Sequence, residues 1–226
     1  MAAEYNSPEL IESFDELSQL PKRRWDNNTH YTPTVLKAVN TLIGGTAIDA
    51  GCGTGDGARR LAKLYKKVVA YDISPQMIEK ASELSEKFDN IEYKNESFLD
   101  ADIEESSCGC LLCVSMLHHM DMEAFFRKAK HILKKGGRLL VVDLYKMETA
   151  GDALASIFGS LLKRPMQFIR GAAKVTPIEV ETWRKHGALE EYRTINEVKK
   201  LAEGMLGDVK IKRRLFFRYT LVWIKK

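Results

Sequence analysis

Between Ala47 and Asp72 the chain reads AIDAGCGTGDGARRLAKLYKKVVAYD, a stretch whose residue types and spacing describe a binding device. An apolar run ends in Asp49, glycines follow at 51, 53, 55 and 57, and an amphipathic segment leads into a second apolar run that stops at Asp72. That order predicts strand, tight loop, helix, strand. Gly51, Gly53 and Gly55 let the backbone approach a ligand closely, and a carboxylate at Asp72 can accept both hydroxyls of a ribose. Together they imply half of a doubly wound α/β domain holding an adenosine-containing cofactor. Gly53, Gly55 and Ala58 also satisfy the GxGxx[GA] pattern of dinucleotide sites, and a loop of this kind can simply turn the chain. Asp49 weighs against the dinucleotide, because it would repel a pyrophosphate yet can reach the amino or carboxylate end of an unphosphorylated ligand.

The elements that must position these residues follow in order. Leu10, Ile11, Phe14, Leu17 and Leu20 recur at helical spacing up to Pro21, and TVLKAVNTL predicts a second short helix; residues 1–40 are expected to form a helical lid over the ligand-binding edge of a sheet. Trp25 and Tyr31 belong either to that lid or to its anchorage in the core. Ser74-Pro75 starts a helix expected to run to about Phe88, and Ile91 and Tyr93 alternate with polar residues in a third strand expected to end near Glu96, Ser97 and Phe98. Cys110 to Ser115 is a fourth strand, Asp121 caps a helix that Lys134-Lys135-Gly136-Gly137 should stop, and RLLVVD is a fifth strand buried on both faces. The alternation breaks over 146–190, where Leu154, Ile157, Phe158, Leu161, Leu162, Met166, Phe168 and Ile169 make apolar stripes suited to a substrate cap. A helix from Asn196 to Met205 precedes VKIKRRLFF and YTLVWIKK, a hairpin that makes the last strand antiparallel in an otherwise parallel sheet. The expected fold is one α/β domain, Rossmann-like and doubly wound, with seven strands.

Bulk properties bound the function. The chain has 226 residues, 45% apolar and 29% charged, with a formal net charge of +4, so it suits one globular domain without a strong polyanion-binding field. No membrane span or signal peptide is expected, which makes the cytoplasm the default location. Cys108, Cys110 and Cys113 form a C-x-C-x2-C run that would suit zinc poorly, because strand geometry puts Cys110 and Cys113 on opposite faces. They are expected to be small buried hydrophobes, with no metal bound. The run Lys210, Lys212, Arg213, Arg214 reads as a solvated strand face.

DAGCGTG followed by VVAYDISPQMIEKA resembles the class I S-adenosylmethionine-dependent methyltransferases, of the small-molecule, methyltransferase type 11 kind, and the terminal hairpin is similar too. The resemblance implies S-adenosylmethionine as cofactor, leaving S-adenosylhomocysteine as product. Asp49, Gly51, Cys52, Gly53 and Gly55 would then hold its methionine part, Asp72 its ribose, and Ile73 and Met77 its adenine. Ser97 stands where the family pattern usually has an adenine-binding Asp, between Glu96 and Phe98, and Ser115 falls where the family touches the cofactor from below.

The tract SMLHHMD resembles one in small-molecule methyltransferases of bacterial secondary and quinone metabolism, where a histidine beside the transferring methyl removes a proton from a hydroxyl, amine or thiol. That implies His118 as the base with Asp143 to orient it, and His119 as its structural neighbour or its substitute. His186 and Tyr192 could line the pocket or simply pack. The implied reaction is methylation of an O, N or S atom of a small metabolite by a monomer or homodimer. Neither the (Asp/Asn/Ser)-Pro-Pro-aromatic tract of nucleic-acid amino methylation nor a Pro-Cys pair occurs, so no nucleic-acid partner is expected. A dehydrogenase, a protein or RNA methyltransferase and a non-catalytic cofactor-binding protein remain the competing readings.

Overall fold

A computed structural model describes residues 6–21, 27–148 and 176–226. Seven strands form one sheet: β1 (Thr46–Ala50), β2 (Lys67–Asp72), β3 (Ile91–Asn95), β4 (Cys108–Val114), β5 (Leu133–Leu144), β6 (Val209–Arg213) and β7 (Arg218–Ile224), in the order β3-β2-β1-β4-β5-β7-β6. The first five run parallel, and β7 lies antiparallel to both β5 and β6. The described helices are α1 (Pro8–Ser18), α2 (Asn27–Leu36), α3 (Asp56–Leu61), α4 (Pro75–Glu83), α5 (Met122–Ile132), α6 (Pro177–Gly187) and α7 (Ile195–Leu206).

Both faces of the central strands are covered, which is why β4 and β5 are apolar without alternation. Ile48, Ala50, Leu111, Leu139 and Val141 face one core, with Phe125 and Phe126 of α5 and Val198 and Ala202 of α7. Ala47, Val68, Leu112, Leu140 and Val142 face the other, with Ala58 and Leu61 of α3. Fully buried side chains of this size stabilise by ~1.5–3 kcal/mol each. Caps fix the helix starts: Ser74 accepts from Met77 N–H at 3.0 Å, Asp121 from Glu123 and Ala124, and Thr194 forms a reciprocal box with Glu197.

Four local expectations are corrected. The second helix spans Asn27–Leu36 rather than the TVLKAVNTL segment, because Asn40 turns the chain: its side chain accepts from Leu42 N–H and its carbonyl from Ile43 N–H. The helix that starts at Pro75 ends at Glu83, well before Phe88, where Ser85 N–H bonds back to the Ser82 carbonyl. α5 stops at Ile132, and Lys134 to Gly137 belong to β5, where Gly136 N–H donates to the Lys225 carbonyl at 2.7 Å. That insertion shifts the β4–β5 register between Cys108 and Cys110, and these two cysteines, which the two-residue alternation of a regular strand would put on one face, join opposite cores. All four cysteines are buried and free. Trp25 and the apolar stripes from Leu154 to Ile169 lie outside the described residues.

Helix α1 packs across α4 and α6. Ser74 donates its hydroxyl to Asp15 Oδ1 at 2.5 Å, and Ser13 Oγ lies 2.9 Å from His186 Nδ1. The N-terminal helix thus ties the end of β2 to the segment that follows residue 176.

Candidate active site

The glycine loop and the two acids converge at the C-terminal ends of β1 and β2. Gly51 and Cys52 donate their N–H groups to the Tyr71 carbonyl, both at 2.9 Å, and Gly53 donates to Asp72 Oδ2 at 2.7 Å. Ser74 N–H donates to Asp72 Oδ1 at 3.0 Å, and Asn95 Nδ2 donates to the carbonyls of Asp72 and Ile73, fixing the backbone beyond β2. Gly51 at φ +70° and Gly53 at φ +49° take left-handed conformations that a side chain would strain. Burial pushes the Asp72 carboxyl up to about 6, with the two backbone N–H groups pulling the other way.

Asp49 is 2% exposed and points under α3, taking a hydrogen bond from Ala58 N–H and leaving Oδ2 without a partner among the described residues. Burial raises its carboxyl to about 7. Cys52, Ile73 and Met77 are buried around the loop, and Phe98 is fully buried between Tyr71 and Phe125, a core position. Ser115 adopts φ +52° at the end of β4, its N–H on the Val142 carbonyl.

A second group lies where β4 and β5 end. A single 3₁₀ turn, Leu117–His119, follows β4 and presents His118 to Asp143. Asp143 Oδ2 accepts the His118 backbone N–H at 2.8 Å and Oδ1 meets Nδ1 at 2.6 Å, so one carboxylate fixes both the turn and the ring. On the far side, His118 Nε2 lies 3.2 Å from Glu190 Oε1. Burial alone would lower the His118 pKa, but Asp143 and Glu190 overcome it and hold the imidazole up at about 9. His119 goes the other way, to about 3, through burial and the charge of His118. Burial opposes ionisation of Glu190, yet hydrogen bonds from His118, His186 and Tyr192 keep it well below the usual carboxylate range.

His118, His119 and Asp143 open on a cavity of about 810 Å³ lined also by Ser97, Tyr192 and Tyr219 among others. Of the eleven cofactor residues expected from the sequence, Ser97 is the one on this wall, and its buried hydroxyl makes no hydrogen bond among the described residues. Glu190 was not foreseen; its signals are the four-residue spacing from His186 and the adjacent acid at Glu191.

The residues present suit S-adenosylmethionine. A carboxylate at the end of β2 stands against the loop backbone, Ser97 offers an unsatisfied buried hydroxyl, and a Cβ placed on Gly53 would meet no atom within 4 Å.

Residues 48–141 match the family model described as a methyltransferase domain. The chain is 32% identical over 109 residues to a methyltransferase of Dictyostelium discoideum, covering 47% of this chain and 40% of that protein. It is 28% identical over 190 residues to the ubiquinone biosynthesis O-methyltransferase of Xanthomonas euvesicatoria pv. vesicatoria, covering 78% of this chain and 79% of the relative. A solved S-adenosylmethionine-dependent methyltransferase from Aquifex aeolicus shares the fold, with TM-score 0.59 and 18% identity over 97% of this chain and 99% of that one.

Proposed function

We propose that this chain, a class I S-adenosylmethionine-dependent methyltransferase acting on a small molecule, methylates a heteroatom, an oxygen before nitrogen or sulfur, of a partly apolar metabolite. The observation that carries this reading is the His118–Asp143 pair at the ends of β4 and β5, opening on a cavity of about 810 Å³. Sites of ~300–1,000 Å³ are the scale of small-molecule pockets. When bound, S-adenosylmethionine supplies a methyl group already activated on a sulfonium.

The chain's own residues then bind, orient and deprotonate. Asp72 receives the ribose hydroxyls, the Gly51–Gly55 loop holds the methionine part with Asp49 beneath it, and Ser97 reads the adenine edge in place of an acid. Asp143 keeps the proton on His118 Nδ1, which confines proton traffic to Nε2; with the ring held up at about 9, the neutral form that accepts a proton grows as pH rises toward that value. A base positioned in this way contributes roughly 10²–10⁴-fold, and alignment of acceptor and methyl can contribute more. Oxygen is favoured because a hydroxyl, unlike an amine or thiol, is scarcely nucleophilic until its proton is drawn off, and a relative of this chain is an O-methyltransferase. Among the described residues no helix is long and apolar enough to cross a membrane.

The test is incubation of the purified protein with isotope-labelled donor and fractionated metabolite extracts, read by mass spectrometry. Label should appear in a small apolar product. Label found only in protein or RNA, or donor left unconsumed with every fraction, would overturn the reading.

A further inference from the structure

Three imidazoles converge on one carboxylate oxygen. Glu190 Oε1 lies 3.2 Å from Nε2 of His118, 3.4 Å from Nε2 of His186 and 3.7 Å from Nε2 of His119. We propose that His118, His119 and Glu190 bind a divalent first-row cation of the zinc type, with His186 the next donor in reach.

The spacing is that of a ligand set. Bonds of ~2.0–2.1 Å to nitrogen and oxygen in a tetrahedral site put neighbouring donor atoms ~3.3–3.4 Å apart, close to the distances seen here. The donor atoms of His118, His119 and Glu190 all lie within 4.8 Å of one another.

Each donor but one is oriented from behind, as metal-binding side chains are. Asp143 holds Nδ1 of His118, Ser13 contacts Nδ1 of His186, and the Tyr192 hydroxyl donates to the second oxygen of Glu190. Phe14 packs edge-on against His119, with ring centroids 5.3 Å apart, and also against His186 at 4.8 Å.

His119 distinguishes a metal site from a simple hydrogen-bonded cluster. Its side chain is 3% exposed, and its Nε2, aimed at the same carboxylate, makes no hydrogen bond among the described residues. A buried orphan of this kind costs ~1–3 kcal/mol, and a cation between it and Glu190 would satisfy it. The surroundings agree: the carboxylates of Glu190 and Asp143 stand beside the imidazoles, on the two sides of His118. The sequence alone led to the opposite expectation, argued on the cysteine run; Glu190, 72 residues beyond His118, meets the histidines only in the fold.

The site stands independently of the methyltransferase reading, but its role rests on that reading. His118 and His119 both line the cavity, which puts the proposed cation beside the space an acceptor would enter. While the cation holds His118 Nε2 that nitrogen is not the base; a hydroxyl reaching the cation would instead lose its proton to water, the O–H bond breaking and the electron pair staying on oxygen.

Chelator-stripped protein should be titrated with Co²⁺ and followed by absorption, then with Zn²⁺ by calorimetry, with bound metal counted after gel filtration. One equivalent per chain and the intense visible bands of tetrahedral Co²⁺ are expected. Glu190→Gln and His119→Ala should each weaken binding at least tenfold, whereas His131→Ala on the exposed side of α5 should not. Wild-type Co²⁺ that keeps the weak spectrum of the aquo ion overturns the proposal without recourse to any variant, as would variants that bind like wild type. S-adenosylhomocysteine binding, measured in parallel, reports on the methyltransferase reading separately: its loss in wild type would sink that reading and leave the metal result standing.

Discussion

Gly53 donates its backbone N–H to Asp72 Oδ2 at 2.7 Å, joining the glycine loop to the end of β2 across nineteen residues. The contact makes the acid part of the loop's own scaffold as well as a ribose acceptor. Asp72→Asn keeps an oxygen for Gly53 but gives up charge-assisted bonds to the sugar, worth ~1.5–3 kcal/mol each. S-adenosylhomocysteine affinity should fall at least about tenfold by calorimetry. In the wild type, burial holds the Asp72 carboxyl protonated up to about pH 6. The ionised form is the better acceptor, so affinity should be flat above about pH 7 and decline below 6, while the weak binding of Asp72→Asn should lack this step.

Asp49 predicts a stability effect of opposite character to the usual carboxylate. Its folded-state pKa is raised by burial from 3.8 to about 7, so on rising pH the unfolded chain loses its proton first. The folded state therefore loses ground as pH climbs from about 4 to about 7, and the loss is complete above that range. Asp72 acts in the same direction up to about 6. Urea unfolding of Asp49→Asn should lack Asp49's share of the slope, ~2–4 kcal/mol in all, so that its stability relative to wild type rises between pH 4 and 8. An identical slope in both proteins would mean that Asp49 is not titrating in that window. Cofactor affinity should drop in the same variant, because the loop loses the charge beneath it.

Gly109 tests the register shift between β4 and β5. A Cβ built there would sit 1.6 Å from the Ile43 carbonyl oxygen, a backbone atom that cannot swing aside. Gly109→Ala should destabilise the protein by ~1–3 kcal/mol or more, seen as a lower urea midpoint. Gly204→Ala, where a Cβ meets nothing within 4 Å, should hold or gain stability.

What could be read from residues alone was what neighbouring residues encode. The loop from Asp49 to Gly55, the acid at Asp72, the caps at Ser74 and Asp121 and the terminal hairpin all follow from short-range pattern, and the structure has each of these elements. The Lys134–Gly137 segment looks like a helix stop yet serves as strand, because pairing with the last strand near Lys225 decides its conformation and no local propensity reports that. Cys108 and Cys110 change faces for the same reason. Glu190 was missed because its partners are His118 and His119 on another element; only the spacing from His186 is local.

His118 and Asp143 carry the last prediction. Asp143 is fully buried and accepts twice from His118, once from the backbone and once at the ring, so it positions the imidazole instead of meeting the acceptor itself. His118→Gln should lower kcat roughly 10²–10⁴-fold with S-adenosylhomocysteine affinity nearly intact, since the ring lies on the cavity wall apart from the Asp72 cluster. Asp143→Asn keeps the volume but offers an amide where an acceptor is needed, freeing the ring to take the wrong tautomer and disturbing the turn after β4. It should therefore reduce kcat and also cost ~1–3 kcal/mol of stability. A merely structural Asp143 would lower stability and leave the turnover of the folded fraction untouched. Single-turnover kinetics on protein verified as folded by circular dichroism separates the two, and an unaltered rate in His118→Gln would remove this imidazole from the chemistry.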